Sequence, residues 1–387
     1  MSGRLPHRLI GVGLGVGIAA AFIAWHGRHT GARATGPGAR LLPENTGAIR
    51  AIAIQYTPES AGTVLPAYRA LLRQMAPDVV AYVICGDADA GRDFAHAVAS
   101  WGLPRPERFR YVSVGAPITT WCKDRFLVAA PGAEDSRATL ITQQAGAGEW
   151  GARTNDWLVA PALARHESAR FAAVELPLRF DAGDLLATEG CLFVSDALWE
   201  KNRGVTVRSR AELLAKLKSL FDRRIVWLGG EPGAVPDHHI GMYVAPMDGE
   251  TALVGDAELG KQLWEELPEP ARADLAGERA PDFSEAKLAV FRSAAQQLRS
   301  EGFRVVSLPL VPFADSKVFL TYTNGVFETR DGTRVVYMPT CGIPVLDEAA
   351  RRAYAAEGFA VRRIPARDLF PHRGTIGCLV NVLERAV

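Results

Sequence analysis

The sequence predicts an α+β domain made of about five similar units, and three observations carry that prediction. From residue 46 onward, strand-like and helix-like stretches alternate to the end of the chain. Asp248-Gly249, Asn324-Gly325 and Asp331-Gly332 read as hairpin turns between short apolar runs. Ser209 with Glu212, and Asp282 with Glu285, read as capping boxes that start single helices. Hairpins mixed with single helices argue for α+β rather than a doubly wound parallel sheet.

The elements follow in order. Residues 49–54 are apolar and β-prone, and 65–75 have helical periodicity. Residues 79–85 read as a buried strand and 89–101 as a helix. Strands are expected at 110–114, 126–130, 138–142, 172–176, 185–187 and 191–194. A helix starts at Ser209 and reaches Phe221. Strands at 225–228, 242–245 and 251–254 follow, the last two joined across Asp248-Gly249. The Asp282 helix runs to about Ser300. Strands at 305–308, 318–323, 326–329 and 334–338 are separated by the remaining hairpin turns. An amphipathic helix at 347–357 and strands at 359–364 and 379–383 close the chain. Strand, hairpin and helix thus recur about five times, at roughly 65–70 residues per unit.

Composition narrows the function. The chain has 387 residues, 48% hydrophobic and 22% charged, enough for a core without disulfides or metals. A net charge of +1 gives no reason to expect a nucleic-acid partner. No glycine-rich phosphate loop lies between a strand and a helix. Cys85, Cys122, Cys191, Cys341 and Cys378 show no CxxC spacing, and no HExxH pattern exists, so no metal or cofactor is expected.

The N-terminus differs from the rest. Residues 9–25 form an uncharged apolar run preceded by Arg4 and Arg8. Its length lies between a signal-peptide core and a minimal membrane helix. A buried helix is the alternative, but the Gly/Arg/Pro-rich stretch 26–43 that follows reads as a tether. The expected organisation is an N-terminal anchor or signal with linker over residues 1–45 and one folded domain over 46–387. The protein is then membrane-anchored or exported, with its folded part outside the cytoplasm.

Four short segments place polar residues where strands meet turns: residues 121–125, 180–184, 236–242 and 372–378. Cys378 follows Gly374 and Gly377 and precedes an apolar strand. A thiol there becomes a nucleophile when a nearby imidazole favours the thiolate. His238 and His239 are adjacent, and neighbours on an extended chain face opposite ways, so one is expected to serve a site and the other to be structural or exposed. Asp124 and Asp181 can each bind a planar guanidinium, orient an imidazole, or cap a surface turn.

Together these segments resemble those of the guanidino-group-modifying enzymes, the pentein superfamily, which includes agmatine and arginine deiminases and dimethylarginine hydrolases. T-W-C-K-D at 120–124 resembles the T-W-x-R-D stretch of agmatine deiminases. F-D-A-G-D at 180–184 resembles (D/E)-G-G-(D/N), and H-H-I-G-M at 238–242 resembles H-h-D-M. R-G-T-I-G-C at 373–378 resembles the terminal G-G-x-x-C, and L-T-Y-T-N-G at 320–325 resembles a Y-x-N strand. The resemblance implies a five-fold pseudosymmetric propeller of ββαβ-type modules around a polar cavity. It implies Cys378 as nucleophile, His239 as acid/base, Asp181 as the support of His239, and Asp124 as a guanidinium ligand. Asp184, Trp121 and Arg373 are further candidate substrate contacts, Trp121 as a pocket wall and Arg373 as a carboxylate partner.

Three departures accompany the resemblance. Gly241 stands where the deiminases carry a second acid, a loss shared by dimethylarginine hydrolases, and Asp237 is the candidate substitute. Ala182 and Thr375 replace glycines and are expected to crowd the cavity. The implied activity is Cys-dependent hydrolysis of a small-molecule or peptide guanidino group to a ureido product. The competing readings are an amidinotransferase on the same fold and a non-catalytic binding module.

Overall fold

The computed structural model describes residues 38–386 except 133–134, 144–152, 154, 232, 277–279 and 316. The expected N-terminal anchor at residues 9–25 lies outside the described residues. Among the described residues, no helix is long and apolar enough to cross a membrane.

The strands form five small sheets. The first holds β1 (Ala48–Tyr56), β2 (Val80–Cys85) and β3 (Phe109–Ser113), with the last strand of the chain, β17 (Val380–Ala386), on its inner edge. The second is β4 (Leu127–Ala129), β5 (Ala138–Gln143) and β6 (Phe171–Leu176). The third is β7 (Leu185–Ala187), β8 (Cys191–Ser195) and β9 (Arg224–Leu228). The fourth is β10 (Val244–Pro246), β11 (Thr251–Asp256), β12 (Arg304–Pro312) and β13 (Phe319–Thr321). The fifth is β14 (Val326–Arg330), β15 (Thr333–Thr340) and β16 (Phe359–Pro365).

Every sheet repeats one pattern. A short strand pairs antiparallel with a second, which pairs parallel with a third after a helical crossover. This is the ββαβ module of the expected propeller. In the first sheet the antiparallel partner of β1 is β17, so the two ends of the chain complete one module.

Local sequence explains the elements. β1 is almost continuously apolar because its parallel neighbour requires a helix over the sheet face. That helix, Ala61–Gln74, buries Val64, Ala67, Tyr68, Leu71 and Leu72, the i, i+3, i+4 stripe of an amphipathic helix. Helix Ala88–Ala99 begins where the Asp87 carboxylate accepts the Ala90 N–H at 2.9 Å. Asp331 and Gly332 have φ of 50° and 75°, the left-handed pair a two-residue hairpin turn requires.

The structure corrects several expectations. Asn324-Gly325 is not a hairpin turn. Neither residue has positive φ, β13 pairs back onto β12, and β14 pairs forward with β15, so the dipeptide links two sheets. The helix expected from Asp282 begins at Glu285 with Ser284 as N-cap, and Asp282 instead accepts the Ser284 N–H. Helices Val159–His166, Asp196–Asn202, Ala257–Glu265 and Glu269–Ala276 were not anticipated. Each is short, so its apolar stripe has too few repeats to stand out from the sequence around it.

Residues 39–47, mostly assigned to the tether, are folded. Ala39 N–H bonds Leu220 O, Leu42 N–H bonds Val128 O, and Glu44 N–H bonds Ala187 O, at 2.9, 2.8 and 2.7 Å. Asn45 Nδ2 donates to Pro246 O at 2.7 Å, and Gly47 O accepts from Thr329 N at 3.1 Å. Arg385 donates to Glu44 O at 2.6 Å and to Gly47 O at 3.1 Å. This strap therefore touches β4, β7, β10, β14 and β17, the first or inner strand of all five modules. Leu41 anchors it, 2% exposed within the apolar core shared by the second and third sheets.

Candidate active site

The polar segments flagged in the sequence occupy equivalent places in the modules, each just before an inner strand. Asp124 ends the turn Cys122–Asp124 ahead of β4, and Asp181 begins the turn Ala182–Asp184 ahead of β7. His239 precedes the turn Ile240–Met242 ahead of β10. Asn324 lies ahead of β14, and Cys378 sits in the short helix Ile376–Leu379 ahead of β17. Pseudosymmetry thus converts five distant stretches into one ring.

They border an open cavity lined by Asp124, His239, Asn324 and Cys378, with Gly183, Gly241 and Gly377. Leu186, Val244, Ala245, Pro246 and Phe327 give it an apolar wall, and Glu44 and Lys123 complete it from the strap side.

His239 is held between carboxylates. Its Nδ1 lies 3.3 Å from Asp124 Oδ1, and its Nε2 lies 3.4 Å from Asp181 Oδ2 and 4.0 Å from Asp184 Oδ1. Burial alone pushes its pKa down, but the Asp124 charge and hydrogen bonds to Asp181 and Cys378 outweigh it and hold the ring well above the usual imidazole range. The carboxylates thus favour the imidazolium form of His239. Gly183 makes room for it: a Cβ there would come 2.7 Å from Nδ1.

Asp181 opposes its own burial with three partners. His239, Lys201 Nζ at 2.8 Å and Arg153 Nη2 at 3.1 Å hold its carboxyl well below the usual range. Asp184 supports this group from beneath. It takes Lys201 Nζ at 2.5 Å and the Asp181 N–H at 2.9 Å. Lys201 resists burial the same way, its pKa raised by Asp184 and Asp181.

Cys378 is 4% exposed. Asn324 Oδ1 lies 3.2 Å from its Sγ, and the same oxygen accepts the Cys378 N–H at 3.1 Å and the Thr375 hydroxyl at 2.8 Å. The other four cysteines are buried thiols, none in a disulfide. Burial pushes Cys85 up to about 12 and raises Cys122, Cys191 and Cys341 as well, so they are poor nucleophiles.

Several expected contacts are placed elsewhere. Asp184 is fully buried behind Asp181 and does not line the cavity. Trp121 packs between two apolar cores rather than walling the cavity, its ring so close to Gly374 that a Cβ there would meet it at 2.5 Å. Arg373 is on the surface, paired with Asp315 at 2.9 Å. Asp237 is also exposed, 3.3 Å from Lys317, and offers no substitute for the acid absent at 241. The space at Gly241 is instead bounded by Asn324, whose Nδ2 would stand 3.0 Å from a Cβ there. Ala182 and Thr375 do not crowd the cavity: Ala182 is in the core, and Thr375 anchors Asn324.

Of the vicinal histidines, His239 faces the cavity. His238 is structural: its Nδ1 accepts the His239 N–H at 2.7 Å, and burial takes its pKa down to about 3.

Sequence reasoning missed Arg153, Lys201 and Asn324. Lys201 lies on the unanticipated helix Asp196–Asn202. Arg153 lies outside any periodic stretch. Its Nη2 is 3.1 Å from both Asp124 Oδ2 and Asp181 Oδ1. Asn324 had a signal in the L-T-Y-T-N-G resemblance, but the Asn-Gly turn reading took precedence.

This arrangement offers a thiol, an imidazolium and a carboxylate on one cavity, the parts needed for nucleophilic substitution at an electrophilic carbon with proton transfer. No protein-family model matches the chain, and no curated protein matches it. Solved structures do. C. jejuni agmatine deiminase superposes with a TM-score of 0.66 at 16% identity, over 90% of this chain and 97% of that one. Enterococcus faecalis agmatine deiminase does so with a TM-score of 0.62 at 14% identity, over 90% and 97%. The chain has the pentein fold of these proteins.

Proposed function

We propose that this protein is a Cys-dependent hydrolase of a guanidino group, giving a ureido product and releasing ammonia or an amine. The observation that carries the reading is the placement of His239 between Asp124 and Asp181 on the cavity that Cys378 also lines, in a fold shared with agmatine deiminases.

The chemistry proceeds in two displacements. The Cys378 thiolate attacks the central guanidino carbon and forms a C–S bond. His239 gives its proton to the departing nitrogen as that C–N bond breaks, leaving an S-linked thiouronium. Water then attacks the same carbon, His239 takes its proton, and the C–S bond breaks to return the thiolate and release the ureido product. Asp181 keeps the imidazole oriented throughout. Asp124 binds the substrate cation, which takes the place of the Arg153 guanidinium on that carboxylate.

Residues 9–25 support a further part of the proposal, that the domain works outside the cytoplasm as an anchored or exported protein. Incubation with agmatine, arginine, methylated arginines and an arginine peptide tests the activity. Ureido product from at least one of them, abolished by Cys378→Ser, is expected. Absence of product from every guanidine refutes it.

A further inference from the structure

The cavity holds one ion pair that the reaction does not use. Lys123 Nζ donates to Glu44 Oε1 at 2.7 Å, and both residues line the cavity beside Asp124 and Cys378. The two side chains are 16% and 25% exposed. Glu44 belongs to the strap, and its backbone is fixed there: its N–H bonds Ala187 O and its C=O accepts from Arg385. Lys123 is the neighbour of Asp124 in the same short turn.

That arrangement has an electrostatic consequence. An ammonium beside Asp124 would compete for its carboxylate and repel any cation entering the cavity. The walls formed by Leu186, Val244 and Phe327 screen such a charge poorly. We propose that Glu44 is a specificity-determining residue: by neutralising Lys123 from the strap, it lets the cavity accept a cationic ligand in preference to a neutral isostere. The proposal rests on the guanidino reading of the cavity. It also gives the strap a role beyond packing, since a segment ahead of the first strand sets the charge of a site built from the other modules.

The test is calorimetric titration of the full chain with methylguanidinium chloride and with N-methylurea, its neutral isostere. Wild type binds the cation in preference. Glu44→Gln weakens cation binding by about ten-fold or more and leaves the urea unchanged, as expected when one poorly screened charge loses its partner. Glu44→Asp retains cation binding. The double variant Glu44→Gln/Lys123→Met recovers it, because the uncompensated ammonium is gone. Lys123→Met alone tightens cation binding, which keeps the proposal testable if Glu44→Gln does not fold. Equal weakening of both ligands, or no recovery in the double variant, assigns Glu44 a packing role and overturns the proposal, as does a wild type that does not prefer the cation. If the titrations behave as expected but no guanidine is hydrolysed, the hydrolase reading fails and the charge selector stands.

Discussion

At the residue scale, the site is an arrangement of opposing charges around one ring. His239 faces three carboxylates, and Arg153 and Lys201 share them. Because its folded pKa is raised, His239 contributes stability that is fully present below the ordinary value of about 6.5 and is lost as pH rises through the folded value. Asp181 has the opposite sign. Its contribution is present above about 3.9 and is lost as pH falls through its depressed folded value. Proton NMR of the imidazole, assigned with His239→Asn, is expected to show protonation persisting above pH ~6.5; titration below that value contradicts the account. Arg153 gives a second prediction. Its side chain is 31% exposed, and on the proposed reading a substrate cation displaces it from Asp124. Arg153→Ala lowers KM for the guanidino substrate by about three- to ten-fold, the scale of a part-exposed pair. A raised KM instead makes Arg153 a substrate ligand.

At the element scale, the strap at residues 39–47 joins all five modules through hydrogen bonds and buries the side chains of Leu41 and Asn45. Leu41→Ala removes an apolar group that is 2% exposed and is expected to destabilise the domain by about 2–4 kcal/mol in urea unfolding. A chain cut at Thr46 loses that anchor and the Glu44–Lys123 pair together, whereas one cut at residue 38 keeps both. Equal midpoints for the two truncations contradict this placement. The strap was illegible in the sequence for a physical reason. Residues 39–47 have no helical or alternating period, because they bond to five different sheets rather than to one strand. The regular strands were legible because each is a short β-prone apolar run bounded by turn residues. Asn324-Gly325 shows where such signals mislead. The dipeptide that favours a two-residue hairpin here serves another contact, an amide oxygen 3.2 Å from Cys378 Sγ.

At the scale of the whole molecule, the five-module arrangement explains why weak motifs combine into a site. Each module offers one turn ahead of its inner strand, and the ring of modules brings these turns onto one cavity. The segments bearing Cys378, His239, Asp181 and Asp124 were therefore legible through their resemblance to pentein motifs in the same order, and the structure brings them together. Arg153 and Lys201 were not, because they reach the carboxylates across the site from segments that carry no motif of their own. Pairing of β17 with β1 matters for the same reason: it fixes Cys378, near the end of the chain, against the module that begins it.

Acid-quenching the protein during incubation with a guanidino compound, followed by peptide mass analysis, asks whether Cys378 attacks the guanidino carbon. The account predicts a thiouronium adduct on Cys378 that forms and decays as ureido product appears, and none in Cys378→Ser. Product that forms without an adduct on Cys378, or an adduct confined to another cysteine, contradicts it.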